Sequence, residues 1–167
     1  MTNFIVLGTI NAITYKEFFL LIKEGKVKTG TVFNKTLQFR APSGELKDMI
    51  GIAWFTTFAV ENKKPLLLTA KYDPEKYPHY DNYDAIEVGK VENIPADYDG
   101  VMGVPITFLH KYCPSQFEIV DINPHFFSLV EQGFEKPKQL SLKSYGMKDP
   151  YARILIRKRT ENNIEKQ

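Results

Sequence analysis

Tyr80-Asp81-Asn82-Tyr83-Asp84-Ala85-Ile86-Glu87-Val88, followed by Ile94-Pro95-Ala96-Asp97-Tyr98-Asp99-Gly100-Val101-Met102-Gly103-Val104-Pro105-Ile106-Thr107-Phe108, is the stretch on which the fold turns. Two short apolar runs, Ala85 to Val88 and Val101 to Phe108, are strand candidates in length and residue type. The segments beside them, 72–84 and 94–100, carry Pro74, Pro78 and Pro95 among aspartates and tyrosines, which is the composition of loops. Pro105 removes a ladder donor and points to an edge strand or a strand start. The acids, aromatic rings and glycines are denser here than core packing requires.

Working outward, the chain begins with Phe4 to Ile10, a short apolar run whose length and β-branched content predict a buried strand. Thr14 with Glu17 three residues on has capping-box spacing, and Phe18, Phe19, Leu21 and Ile22 supply the apolar face of a helix that Gly25 ends. Thr31 to Phe33 and Thr36 to Phe39 read as short strands or a hairpin, with a turn at Pro42-Ser43-Gly44. Ile50 to Phe58 and Leu66 to Leu68 read as two strands joined by the polar turn 61–64. Phe117 to Val120 and Tyr151 to Arg157 are further strands, and 161–167 is a polar tail. One early helix followed by many strands predicts a mixed α/β fold with a β-rich second half. The 167 residues are expected to form one domain, 1–167, long enough to bury a core.

Composition narrows the function classes. A net charge of +2 gives no global electrostatic argument for nucleic acid, so any such contact must be local. Arg153, Arg157, Lys158 and Arg159 form one cluster, preceded by Lys136, Lys138, Lys143 and Lys148. The bland alternative is a solvated strand edge. The single cysteine, Cys113, excludes an intrachain disulfide and fits a reduced, cytoplasmic compartment; His110 nearby makes no nucleophile motif with it. No apolar run is long enough to span a membrane, and Phe4 to Leu7 is too short for a signal peptide.

Several constellations invite chemistry. The acids of 80–84 and 97–99 are oxygen ligands in type, but their spacing matches no calcium loop and no histidine pair joins them, so no metal site is assigned. Gly100 and Gly103 lack the spacing of a phosphate loop. Asn123-Pro124-His125-Phe126 and Asp149-Pro150-Tyr151 each approach the Asp/Asn-Pro-Pro-aromatic loop that amino-group methyltransferases use to hold a flipped base, and each departs from it by one proline. Trp54 and Phe55 could stack on a base or wall a pocket, or be two core rings; strand alternation lets at most one of them face a pocket.

Taken together, Asn11 to Glu17, Trp54-Phe55-Thr56, Tyr80 to Ile86, Ile94 to Leu109 and Tyr151 to Arg157 resemble the C-terminal half of EcoRI-type adenine-specific DNA methyltransferases, over about Phe4 to Arg159. The resemblance implies a partial Rossmann-like methyltransferase sheet with an added β-rich recognition part. It implies an S-adenosylmethionine-dependent family acting on the exocyclic amine of adenine in double-stranded DNA, within restriction-modification systems. The cofactor glycine motif and the Asn-Pro-Pro-Phe loop of the family precede the matched region, so no catalytic or cofactor-binding residue is assigned, and the chain alone is expected neither to hold S-adenosylmethionine nor to methylate DNA. Trp54, Phe55, Asn82, Tyr83, Asp84, Arg153 and Arg157 are the candidates for contact with DNA or the target base. The partner expected beside DNA is a complementing N-terminal half or a second copy of the chain. A non-catalytic DNA-binding module and a truncated, non-functional remnant remain the alternatives.

Overall fold

A computed structural model describes residues 2–30, 37–59, 63–135 and 139–160. The chain divides into two compact units, Met1–Glu61 and Asn62–Gln167. Strand exceeds helix in both, so the fold is mixed α/β with the β-rich second half expected.

In the first unit, β1 (Ile5–Thr9), β2 (Lys28–Thr29) and β5 (Ile52–Thr56) form a sheet of order β1-β5-β2, antiparallel throughout. β3 (Leu37–Arg40) and β4 (Leu46–Met49) form a separate hairpin around the turn at Pro42 to Gly44. The residues 31–36 of the expected hairpin lie outside the described residues. The helix α1 spans Lys16–Lys23, one residue later than a Thr14 cap would place it. Tyr15 is its N-cap and offers no side-chain bond, because residues 10–14 wind as a 3₁₀ turn in which the Thr14 hydroxyl donates to the Asn11 carbonyl. From α1, Phe19 and Ile22 enter the core, and Phe18 packs edge-on against Phe55, 4.9 Å between centroids.

The second unit is built on a four-stranded sheet of β6 (Ile86–Glu87), β7 (Met102–Pro105), β8 (Phe117–Asn123) and β9 (Arg153–Lys158), in the order β6-β7-β9-β8. β6 and β7 run parallel; the other pairs are antiparallel. Ile154, Leu155 and Ile156 of β9 are all buried, as a central strand covered on both faces requires. Pro105 ends β7, an interior strand, where an edge strand or a strand start was expected; its missing amide costs little at the last rung, opposite Arg153. One cluster of the core joins Tyr80, Ala85, Val101, Phe126, Leu140, Leu142 and Leu155, with the Tyr83 ring packed on it.

Two local expectations fail for identifiable reasons. Leu66 to Leu68 is not a strand. Its backbone is held by a side chain instead: the Leu66 amide donates to Gln116 Oε1 at 2.7 Å, and Gln116 Nε2 donates to the Leu66 carbonyl at 2.8 Å. A second helix, α2 (Phe127–Glu131), follows the Asn123-Pro124 turn. The buried Asp121 carboxylate anchors it, accepting from the Ile122 amide at 2.9 Å and from the Leu129 amide at 3.2 Å.

Candidate nucleic-acid interface

The loops flanking β6 are tied down before they reach the surface. The Tyr80 amide donates to the Ala85 carbonyl at 2.9 Å, closing 80–85 into a turn. Asn82 then clamps a distant segment: its Oδ1 accepts from the Ser141 amide at 3.0 Å and its Nδ2 donates to the Gln139 carbonyl at 2.6 Å. Asp81 does the same for the next turn, accepting from the Ser141 hydroxyl at 3.1 Å, the Ser144 amide at 3.2 Å and the Ser144 hydroxyl. These bonds, led by that of the Ser144 hydroxyl, hold the Asp81 carboxyl below the usual carboxylate range. Asn82, a contact candidate on chemistry alone, thus has both ends of its amide engaged.

Beneath the loops lies a buried ion pair. Arg153 presents its guanidinium fork to Glu87, with Nε and Nη2 at 2.9 and 2.7 Å from Oε1. The Tyr80 hydroxyl donates to the other carboxylate oxygen. The Glu87 side chain is 7% exposed. Burial, and then the Glu87 charge, push the Tyr80 phenol far above its ordinary range, so it stays a donor. A Cβ on Gly103 would collide with the Tyr80 hydroxyl, which explains the glycine in β7.

The surface opening lies beside this network. A cleft of about 450 Å³, open to solvent, is lined by Asp84, Tyr98, Asp99, Gly100, Val101, Arg157 and Thr160. Asp84 comes from the loop before β6, Tyr98 and Asp99 from the loop before β7, and Arg157 from the far part of β9. The Tyr98 ring lies against Tyr72, 4.7 Å between centroids, and folds back over Gly100, where a Cβ would sit 2.5 Å from its hydroxyl. Burial, then the Tyr72 and Asp84 groups, raise the Tyr98 phenol above its ordinary range. Asp99 is paired with Lys158 at 3.2 Å, and Asp84 meets His79 Nε2 at 3.1 Å. The Arg157 side chain has no hydrogen-bond or ion-pair partner among the described residues, although its charge acts on the half-buried Tyr83 phenol, whose pKa burial raises first.

Of the sequence-derived candidates, Asp84 and Arg157 line the cleft, whereas Tyr83 packs against the core, 5.5 Å from the Phe126 ring. Arg153 is committed to Glu87. Trp54 and Phe55 belong to the first unit, where Phe55 is buried in the core and Trp54 is the ring that stays open. The sequence assigned no site to Asp97 to Asp99; Tyr98 supplies an aromatic wall of the cleft, and its close approach to Gly100 is the signal that reveals it. Asn123 ends β8 with its Oδ1 accepting from the Leu140 amide at 3.0 Å, a structural use of the near-motif. No described helix is long and apolar enough to cross a membrane.

The family model for adenine-specific methyltransferase EcoRI matches residues 1–48 and 39–159. The chain belongs to this EcoRI-type methyltransferase family. It is 37% identical to the type II methyltransferase M.EcoRI of Escherichia coli over 93% of its own length and 50% of that protein. It is 35% identical to M.MgeORF184P of Mycoplasma genitalium and 33% identical to M.MpnI of Mycoplasma pneumoniae, covering 57% of each. This EcoRI-type chain therefore spans about half the length of the curated relatives it matches. No solved structure matches it.

Proposed function

We propose that this chain is the DNA-contacting portion of an adenine-specific methyltransferase of a restriction-modification system, acting on double-stranded DNA in the cytoplasm, and that it does not methylate alone. The observation that carries the reading is the cleft, whose lining brings together two carboxylates, a tyrosine ring and an arginine whose side chain has no partner among the described residues. An array of this kind suits base edges better than phosphates. A carboxylate accepts from an exocyclic amine, an arginine donates to purine acceptors, and a tyrosine face stacks. Asp84 and Asp99 would repel a bare phosphate. Arg157 is the contact we assign to the nucleic acid, Arg153 is the positioning residue that ties β6 to β9 across β7, and Tyr98 forms the aromatic side of the site.

S-adenosylmethionine, the methyl donor the family implies, supplies the transferred group when bound. The cleft of this chain does not fit it: a cofactor of that size is buried over most of its surface, whereas this cleft is open and polar. The donor site is accordingly assigned to a portion corresponding to the part of the relatives that this chain leaves unmatched.

A salt series of duplex-DNA binding with the full chain tests the assignment. Arg157→Met is expected to weaken binding and lower the salt slope by about one if the guanidinium also neutralises a phosphate, or to weaken it at unchanged slope if it reads a base edge. Wild-type binding that Arg157→Met leaves unchanged would refute the site. A methyl-transfer assay with the chain alone is expected to show no turnover; sustained turnover would refute the division of labour.

A further inference from the structure

The segment 139–151, which leads into β9, contains no strand, yet it is anchored at many points. Asp81 and Asn82 hold Gln139, Ser141 and Ser144, and Asn123 holds the Leu140 amide. Gln139 Nε2 also donates to the Pro150 carbonyl at 2.7 Å, and the Leu142 amide donates to Asp149 Oδ1 at 3.3 Å. The Tyr145 oxygen accepts from the His79 amide at 3.4 Å. Between these anchors Lys143–Tyr145 winds as a 3₁₀ turn, closed by Gly146 at a φ of 66° with its amide on the Lys143 carbonyl at 2.9 Å. Leu142 is buried in the core beneath. A loop that served only as a connection would need none of this, since connections are ordinarily the mobile parts of a fold.

The fixed turn presents one kind of surface. Lys143, Tyr145, Met147 and Lys148 are all exposed, with Tyr145 at 51% and Met147 at 48%. Neither lysine has an ion-pair partner among the described residues. The carboxylates nearest in the anchoring set, Asp81 and Asp149, accept from the loop's own amides and hydroxyls. The loop also adjoins the cleft, because the turn that supplies Asp81 and Asn82 to it supplies Asp84 to the cleft lining. Three residues of chain reach about 11 Å at most, or about three base-pair rises of a duplex.

We infer that residues 143–148 form a phosphate clamp, in which Lys143 and Lys148 bind the sugar-phosphate backbone of the duplex beside the cleft. The Tyr145 oxygen already accepts from His79, so its hydroxyl hydrogen is left to donate to a phosphate oxygen, and Met147 lies against the sugars between. The inference rests on the DNA-contacting reading above and supplies what the cleft lacks. Two carboxylates in the cleft disfavour phosphate, whereas phosphate contacts are what fix a protein's register on a duplex. An acidic protein surface would also attract two lysines, but the groups suited to base edges on the adjoining turn select DNA. Asn82 carries no charge and has both ends of its amide engaged, so it acts as a positioning residue: it holds the clamp in one shape and lowers the ordering cost of binding.

A salt series of mixed-sequence duplex binding by the full chain tests this, with circular dichroism and melting to establish that each variant is folded. Lys143→Met combined with Lys148→Met should lower the slope of log affinity against log salt by about two, one for each neutralised phosphate. Lys90→Met, at an exposed lysine outside the loop, should leave the slope unchanged. Asn82→Ala removes no charge and should weaken binding at unchanged slope. An unchanged slope in the double lysine variant would overturn the clamp, as would a fall of about one in Lys90→Met, which would make the effect one of general charge. Asn82→Ala binding as tightly as wild type would overturn the positioning role. Arg157→Met is measured in the same series. Binding weakened by Arg157→Met and untouched by the lysine changes refutes the clamp and keeps the cleft; the reverse refutes the cleft and keeps the clamp. A wild-type chain that fails to bind duplex at low salt refutes both.

Discussion

Replacing Glu87 by alanine isolates the structural role of the buried network. The substitution leaves the Arg153 guanidinium, 18% exposed, without its anion and the Tyr80 hydroxyl without its acceptor. Removing one partner of a buried ion pair costs about 3–5 kcal/mol, because the remaining charge is left desolvated and unpaired. Arg153→Met is expected to cost about as much, since Glu87 is then the uncompensated charge, and Tyr80→Phe about 1.5–3 kcal/mol for one bond to a charged acceptor. The pair itself is not worth that sum: replacing both partners by apolar residues of similar volume is often close to neutral. Glu87→Leu with Arg153→Met should therefore recover much of the loss. Urea denaturation of the full chain with a probe in the second unit measures each variant, and the cycle of Glu87→Leu, Arg153→Met and the double variant should show coupling of about 0.5–3 kcal/mol or more. Arg153→Met with an unchanged midpoint would refute the reasoning. So would a double variant whose loss is the plain sum of the singles.

Other outcomes follow from the same geometry. Gly103→Ala should lower stability by about 1–3 kcal/mol, because the new methyl group must displace the Tyr80 hydroxyl from Glu87; pairing it with Tyr80→Phe should relieve part of the cost in the same denaturation assay. Asp81 gives a pH dependence of known sign. Its carboxyl is held low in the folded chain, chiefly by the Ser144 hydroxyl, so its stabilisation is fully present above the unfolded value of about 3.9 and is lost as pH falls through the lower folded value. The protection of the Ser144 amide, measured against its intrinsic exchange rate at each pH, should therefore fall on acidification below about pH 4, and Asp81→Asn should show low protection already at neutral pH.

The strands were largely legible because their signals are local. Ile5 to Thr9, Ile52 to Thr56, Met102 to Pro105 and Arg153 to Lys158 each form within the run expected of them, but the strand expected to reach Phe108 stops at Pro105, where a 3₁₀ turn begins, and the first strand, expected buried, is largely exposed. α2 was invisible: five residues are too few for a periodic face, and the anchor at its start is Asp121, which reads as part of the preceding strand. Leu66 to Leu68 has the pattern of a strand, but Gln116, fifty residues away, takes the bonds that a neighbouring strand would have made.

The candidate site divides along the same line. Residue types and the long marker from Tyr80 to Phe108 were enough to indicate an EcoRI-type methyltransferase and to nominate its polar and aromatic groups, because side-chain chemistry is a property of each residue alone. Tertiary structure decided which groups remain available. Arg153 and Arg157 lie four residues apart on one strand, yet Glu87 neutralises the first and the second opens into the cleft. Trp54 and Phe55 are neighbours, yet the pleat turns Phe55 into the core and leaves Trp54 on an uncovered face beside Leu7. Burial and pairing depend on partners from distant parts of the chain, and no local pattern carries that information.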